Sequence, residues 1–144
     1  MAAEIASYVL DSSAILAYVQ DEPGAVRVHS LLIAAREGRC RISISFASVS
    51  EVYYIVCQRQ GVAPARELVV LLKELSVEIV QSSERIMLAA GRLKASYRLS
   101  FADAFIAATA MEKEAVLIHK DPEFEPLAAS VALEALPYKT RSDN

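Results

Sequence analysis

Four short runs of β-branched and aromatic residues, SYVLD (Ser7 to Asp11), RISIS (Arg41 to Ser45), VEIVQ (Val77 to Gln81) and AVLIHK (Ala115 to Lys120), are separated by segments with helical spacing. That alternation predicts a parallel sheet covered by helices on both faces. The intervening helices are expected from Ala14 to Gln20, from Pro23 to about Glu37 with Gly38 as a stop, and from Phe46 to Gln60 ended by Gly61. Three more are expected from Pro64 to Leu75, from the caps Ser82 and Ser83 to about Ser96, and from near Ser100 to about Glu114. Val131 to Leu136 adds a fifth strand, placed at an edge because Pro137 follows it. With no linker or repeat, the 144 residues read as one three-layer α/β domain of about five strands, and Pro137 to Asn144 as a flexible tail.

Apolar residues make up 54% of the chain, yet no stretch of about 18 is uninterrupted, so no membrane span is expected. The opening MAAEIASYVLD has no basic region and carries Glu4, which makes a poor secretory signal and predicts a cytoplasmic protein. Cys40 and Cys57 are too far apart for a CxxC motif and read as buried free thiols, and His29 reads as structural. A net charge of −3 disfavours non-specific nucleic-acid binding. Locally, however, Arg85, Arg92, Lys94 and Arg98 fall in a stretch without acids, and Arg36, Arg39 and Arg41 form a second basic group. Both groups fit either a solvated face or a phosphate-binding surface.

The chemistry lies in acids that stand alone. Asp11 is the sole charge from Ile5 to Gln20, Glu51 from Ile42 to Gln58, and Asp103 from Leu99 to Met111; Asp121 follows the fourth strand run. Each falls where a strand gives way to a helix or in the first turns of a helix, and the carboxyl ends of parallel strands share one edge of the sheet. Capping accounts for each acid singly, since Ser100-Phe-Ala-Asp103 and Ser48-Val-Ser-Glu51 both match the capping box. Capping does not require apolar surroundings, and burying a lone carboxylate costs several kcal/mol. No cation lies within these runs, Lys120 beside Asp121 excepted. A hard divalent cation, Mg²⁺ or Mn²⁺, is the simplest remedy for four converging carboxylates.

The series YVLDSSAILAYV, SVSEVYYI, LSFADAFIAATA and VLIHKDPEF resembles the PIN-domain family, and most closely its VapC-type toxins of toxin–antitoxin pairs, from about Ser7 to Leu127. The resemblance implies a sheet ordered 3-2-1-4-5 and a Mg²⁺-dependent endoribonuclease cutting structured RNA, commonly transfer or ribosomal RNA. It implies Asp11, Glu51, Asp103 and Asp121 as catalytic acids and metal ligands, Ser12 or Ser13 as the hydroxyl beside the first acid, and Phe124 as a packing aromatic. Partners implied are a VapB-type antitoxin, whose segment would lie against the helices Ser12 to Glu22 and Pro64 to Leu75, and a second copy of the chain. One departure stands out: the family usually carries Thr or Ser two places before the fourth acid, and here that residue is His119.

With no Cys or Ser dyad in view, the nucleophile is expected to be a metal-activated water. Arg92, Lys94 and Arg98 are the expected contacts to the RNA backbone, with Ser13 beside the substrate. Two enzyme rivals fail on residues: a receiver domain needs an aspartate where VEIVQSS has Gln81 and serines, and a D-x-D phosphatase motif is broken by Ser12 and Ser13. The remaining alternative is a catalytically inactive PIN-like module that binds protein or RNA, against which the presence of all four acids argues.

Overall fold

The computed structural model describes residues 4–139. Five strands, β1 (Ala6–Leu10), β2 (Cys40–Ser45), β3 (Glu78–Val80), β4 (Val116–His119) and β5 (Leu133–Ala135), form one sheet in the order β3-β2-β1-β4-β5. Every pairing is parallel. The register sets Val9 beside Leu117 and Leu10 beside Ile118 at the centre of the sheet. Successive residues of a strand face opposite sides. Val9 and Leu117 accordingly enter a core that includes Leu93, Ile106 and Phe124, whereas Leu10 and Ile118 enter one that includes Ile15, Ile44 and Leu72.

The six helices, α1 (Ser12–Val19), α2 (Ala25–Arg36), α3 (Phe46–Gln60), α4 (Val62–Glu74), α5 (Glu84–Ser96) and α6 (Phe101–Glu112), cover the two faces, α1 to α4 in one core and α5 and α6 in the other. The three-layer parallel architecture and the order 3-2-1-4-5 are therefore as expected. Among the described residues no helix is long and apolar enough to cross a membrane.

Helix starts differ locally from the sequence pattern for identifiable reasons. Gly24, not Pro23, precedes α2; it adopts φ 101°, and a Cβ there would stand 3.0 Å from Leu136 Cβ. A left-handed backbone against a packed side chain requires glycine. Pro64 lies inside the first turn of α4, which opens at Val62; its missing N–H falls among the groups that have no intrahelical partner. The Ser48-Glu51 capping box does not form. Ser45 caps α3, its Oγ accepting from Ala47 N–H at 3.1 Å, and Ser48 lies within the helix, fully buried, with Oγ unbonded. Strand β2 runs straight into α3, so the last strand residue becomes the cap.

A 3-10 helix, Pro122–Leu127, follows β4 and seals one core with Phe124 and Leu127, both fully buried. Of the expected tail, Pro137 to Lys139 are described: Tyr138 Oη donates to Glu125 at 2.8 Å and Lys139 Nζ lies 3.1 Å from Glu22. The rest of the tail, residues 140–144, lies outside the described residues.

Candidate functional site

Asp11 is the first residue beyond β1 and the N-cap of α1. Its N–H donates to Ile118 O on β4 at 3.0 Å, and its carboxylate accepts from Ala14 N–H at 2.7 Å. Aspartate suits a strand that passes directly into a helix, because its side chain satisfies one of the free N–H groups of the first turn. Ser13 Oγ lies 2.8 and 2.7 Å from the two Asp11 oxygens, to which its hydroxyl donates, and itself accepts from Lys120 N–H at 2.9 Å. One hydroxyl thus ties the end of β1 to the end of β4. Ser12, the other candidate, has its buried Oγ unbonded.

Asp103 lies in the first turn of α6, its N–H donating to the capping Ser100 Oγ at 3.0 Å. Asp121 caps the 3-10 helix and accepts from Glu123 N–H at 2.9 Å. Glu51 occupies the second turn of α3. The four acids come from both faces of the sheet and from the edge where β1 and β4 end.

The charges of Asp103 and Asp121 act on Asp11, and that of Glu51 on Asp103, while the close group of carboxylate oxygens includes Asp103 and Asp121 but neither Asp11 nor Glu51. Burial, first of all, lifts the Asp11 carboxyl to about 7; the charges of Asp103 and Asp121 add to it, against the bonds from Ala14 and Ser13. Asp103 is lifted to about 6, by burial and then by Glu51, Asp121 and Glu123. Asp103 is the hub of the cluster. Two carboxylates about 4 Å apart repel by about 4 kcal/mol at an effective dielectric near 20. Nearby helix N-termini offset only about 0.3–1 kcal/mol each. Among the described residues none of the four acids makes a salt bridge. Lys120 turns away from them: its Nζ donates to Pro23 O at 2.8 Å and lies 3.6 Å from Glu22.

The donor set fits a hard cation. Asp103, Asp121 and Glu123 each offer a carboxylate oxygen within 4.8 Å of the others. Ligands on opposite sides of Mg²⁺ or Ca²⁺ stand about 4–5 Å apart. Glu123 had no signal of its own in the sequence, since it lies in the acid-rich DPEFEP; the spacing Asp121-x-Glu123 across Pro122 was the available clue. Tyr54, one helical turn beyond Glu51, also borders the site, its phenol pushed up by burial, Glu51 and Asp103.

His119, which stands where the family usually carries Thr or Ser, anchors the backbone of Asp121. The ring is buried, its Nδ1 accepts from Asp121 N–H at 3.2 Å, and it packs against Phe124 with centroids 5.3 Å apart. Burial pushes the imidazole below its usual value, keeping it neutral and Nδ1 free to accept.

The cationic candidates are spread out. Arg92 lines a groove with Arg85, Met111 and Glu112 at the far end of α6, and Arg85 Nε pairs with Glu112 at 3.1 Å. Lys94 Nζ donates to Leu99 O at 2.8 Å, which ties down the turn between α5 and α6. Arg98 is exposed in that turn. The cleft that adjoins Ser13 and Asp121 holds other cations: Arg59, Lys120 and Lys139.

The PIN domain family model matches residues 8–129. Among solved structures, the chain is similar to VapBC2 from Rickettsia felis bound to a DNA fragment of its promoter, at 18% identity and TM-score 0.74, covering 91% of this chain and 99% of that one. It is similar to DNA-bound VapBC from Salmonella typhimurium, at 16% identity and TM-score 0.74, covering 91% and 98%. It also resembles the sarcin-ricin loop cleaving toxin VapC20 of Mycobacterium tuberculosis, at 19% identity and TM-score 0.68, covering 90% and 99%. A comparison of the sequence with curated proteins finds no significant match.

Proposed function

Because the chain belongs to the PIN domain family, we propose that it is a divalent-metal-dependent endoribonuclease cutting structured RNA, transfer or ribosomal, as the VapC-type toxin of a cytoplasmic toxin–antitoxin pair. The observation that carries this reading is the acid cluster, in which Asp11 and Asp103 are driven to about 7 and about 6 with no cationic side chain paired to either among the described residues. Asp11, Glu51, Asp103 and Asp121 would hold Mg²⁺, or Mn²⁺, with Glu123 beside them. Such an ion, when bound, supplies an activated water and neutralises charge developing on the scissile phosphate.

The chain's own groups do the rest. Ser13 and Ala14 N–H fix the Asp11 carboxylate, and Ser100 fixes the turn that presents Asp103. His119 fixes the backbone of Asp121. Asp11 is buried and Glu51, Asp103 and Asp121 are half-buried, so bulk water screens them less than it would at an open surface and attraction for a cation is stronger. Arg92 and Arg98, both exposed, serve phosphates further along the RNA.

Restraint of such an enzyme comes from an antitoxin segment in the groove whose apolar residues Val19, Val56, Leu68 and Leu71 are flanked by Gln20, Gln60 and Glu67, with Val62 and Val70 exposed on the same helix as Leu68. The similar Rickettsia felis and Salmonella proteins are VapBC assemblies, which supports a VapB-type partner; the family resemblance adds a second copy of the chain.

The test is incubation of the purified protein with structured RNA in Mg²⁺ or EDTA, beside Asp103→Asn. Cleavage is expected only from the parent protein with metal. Equal cleavage in EDTA, or by the variant, refutes the reading. In EDTA the variant should melt no lower than the parent, since it loses one of several clustered like charges.

A further inference from the structure

We propose that the cleft beside the acids is a second phosphate subsite, where Arg59 and Lys139 hold an RNA phosphodiester flanking the linkage presented to Asp103 and Asp121. The assignment rests on the nuclease reading above. The cleft has a volume of about 310 Å³ and is continuous with the acid cluster, since Ser13 and Asp121 are part of its wall. That size is at the lower end of the roughly 300–1,000 Å³ of ligand pockets.

Its charge is opposite to that of the cluster it adjoins. Among the described residues Arg59, Lys120 and Lys139 line it with two carboxylates, Glu22 and Asp121. Glu22 lies between the two lysines, 3.6 Å from Lys120 Nζ and 3.1 Å from Lys139 Nζ, so one carboxylate serves two ammonium groups. The Lys120 side chain is only 3% exposed and is pinned to Pro23 O, which fixes its charge in the wall, whereas the Lys139 side chain is half exposed. Arg59, exposed in the last turn of α3, pairs with no carboxylate among the described residues.

A polyanion approaching five acids is repelled until a cation neutralises the phosphate at their centre. A neighbouring phosphate needs its own positive contact, and a guanidinium with no carboxylate partner among the described residues offers a planar fork that matches phosphate oxygens. The Arg85 and Arg92 groove is a weaker choice. It sits at Glu112, nine residues along α6 from Asp103 and hence about 13 Å away, and Arg85 is already paired with Glu112.

The test measures binding of structured RNA in EDTA across a salt series for the parent, Arg59→Gln, Lys139→Gln and the double variant. Lys113→Gln is the charge-matched control: Lys113 is paired with Glu78 and follows α6, at the end of that helix away from Asp103. Arg59→Gln should weaken binding several-fold and lower the slope of log affinity against log salt by about 0.7–0.9, one phosphate contact. Lys139→Gln should act in the same direction, and the control should match the parent. In cleavage assays with Mg²⁺, Arg59→Gln should raise KM and change kcat little. A cleaving parent whose salt slope and KM are matched by Arg59→Gln overturns the subsite and leaves the nuclease reading intact. A parent that binds RNA without cutting it, and loses affinity on Arg59→Gln, overturns the nuclease reading and retains an RNA-binding cleft. Loss of antitoxin-peptide binding with RNA affinity unchanged overturns the subsite in favour of a peptide.

Discussion

Replacing Asp11 by Asn removes a buried charge while keeping the shape of a helix cap. The asparagine oxygen can still accept from Ala14 N–H, and Asn caps helices about as well as Asp. In the parent the Asp11 carboxyl is raised from 3.8 to about 7, chiefly by burial, and the residue is only 3% exposed. The folded state therefore holds this proton more tightly than the unfolded chain does. Between about pH 4 and pH 7 the unfolded carboxyl is ionised and the folded one is not, so stability falls as pH rises through that window and levels off above it. At about 1.4 kcal/mol per pH decade, the loss approaches about 4 kcal/mol by pH 8. Asp11→Asn should be free of it. Without divalent metal the variant should match the parent near pH 4 and exceed it by about 4 kcal/mol at pH 8, a melting-temperature gap on the order of 10 °C for a domain of this size. Adding Mg²⁺ at pH 8 should narrow the gap by stabilising the parent more than the variant, which keeps the other acids but lacks the charge of that ligand. The assay is thermal or urea unfolding at several pH values in EDTA and in Mg²⁺. A gap that does not change with pH, or a variant less stable at pH 8 in EDTA, would refute the claim that this carboxylate is held against its own burial.

Ser13→Ala should leave Lys120 N–H without its acceptor and the Asp11 carboxylate with one donor fewer. That predicts a loss of about 1–3 kcal/mol and a pH-dependent stability drop that starts at the same pH but extends to higher pH, read by the same unfolding series. Ser45→Ala and Ser48→Ala should part company in urea titrations. The first removes the α3 cap and costs about 1 kcal/mol, whereas the second deletes a buried hydroxyl with no partner and should be neutral or stabilising. Phe124→Ala, which empties a fully buried aromatic site under Asp121, should cost about 3–5 kcal/mol.

The strands and helices were legible because apolar spacing changes sharply between period two and period 3.6 from SYVLD to SSAILAYV and from RISIS to FASVSEVYY. Asp11, Glu51 and Asp103 were legible for a related reason, each being a single charge in an apolar run. The order of the strands was not in the pattern and came through the family resemblance. Glu123 and Arg59 escaped notice because their neighbours are polar: DPEFEP on one side, CQRQ on the other, where a charge has no contrast. Their significance is tertiary, arising only when the end of β4 folds against α1 and α3. Ser48 misled for the opposite reason, as its spacing to Glu51 satisfies a cap motif while β2 runs on into the helix without a break. His119 shows a substitution whose meaning is set by the ring nitrogen and not by residue class: Nδ1 accepts from the Asp121 N–H at a position where the family usually carries a hydroxyl.

The pairing of β1 with β4, the centre of the sheet, joins residues more than a hundred positions apart. A growing chain leaving the ribosome therefore holds Asp11 and Glu51 early, yet keeps β1 as a bare edge until β4 is made. Asp121 and Glu123 follow immediately after that strand. No nascent chain shorter than this carries the whole acid set, so under the proposed function the molecule is chemically silent for most of its own translation.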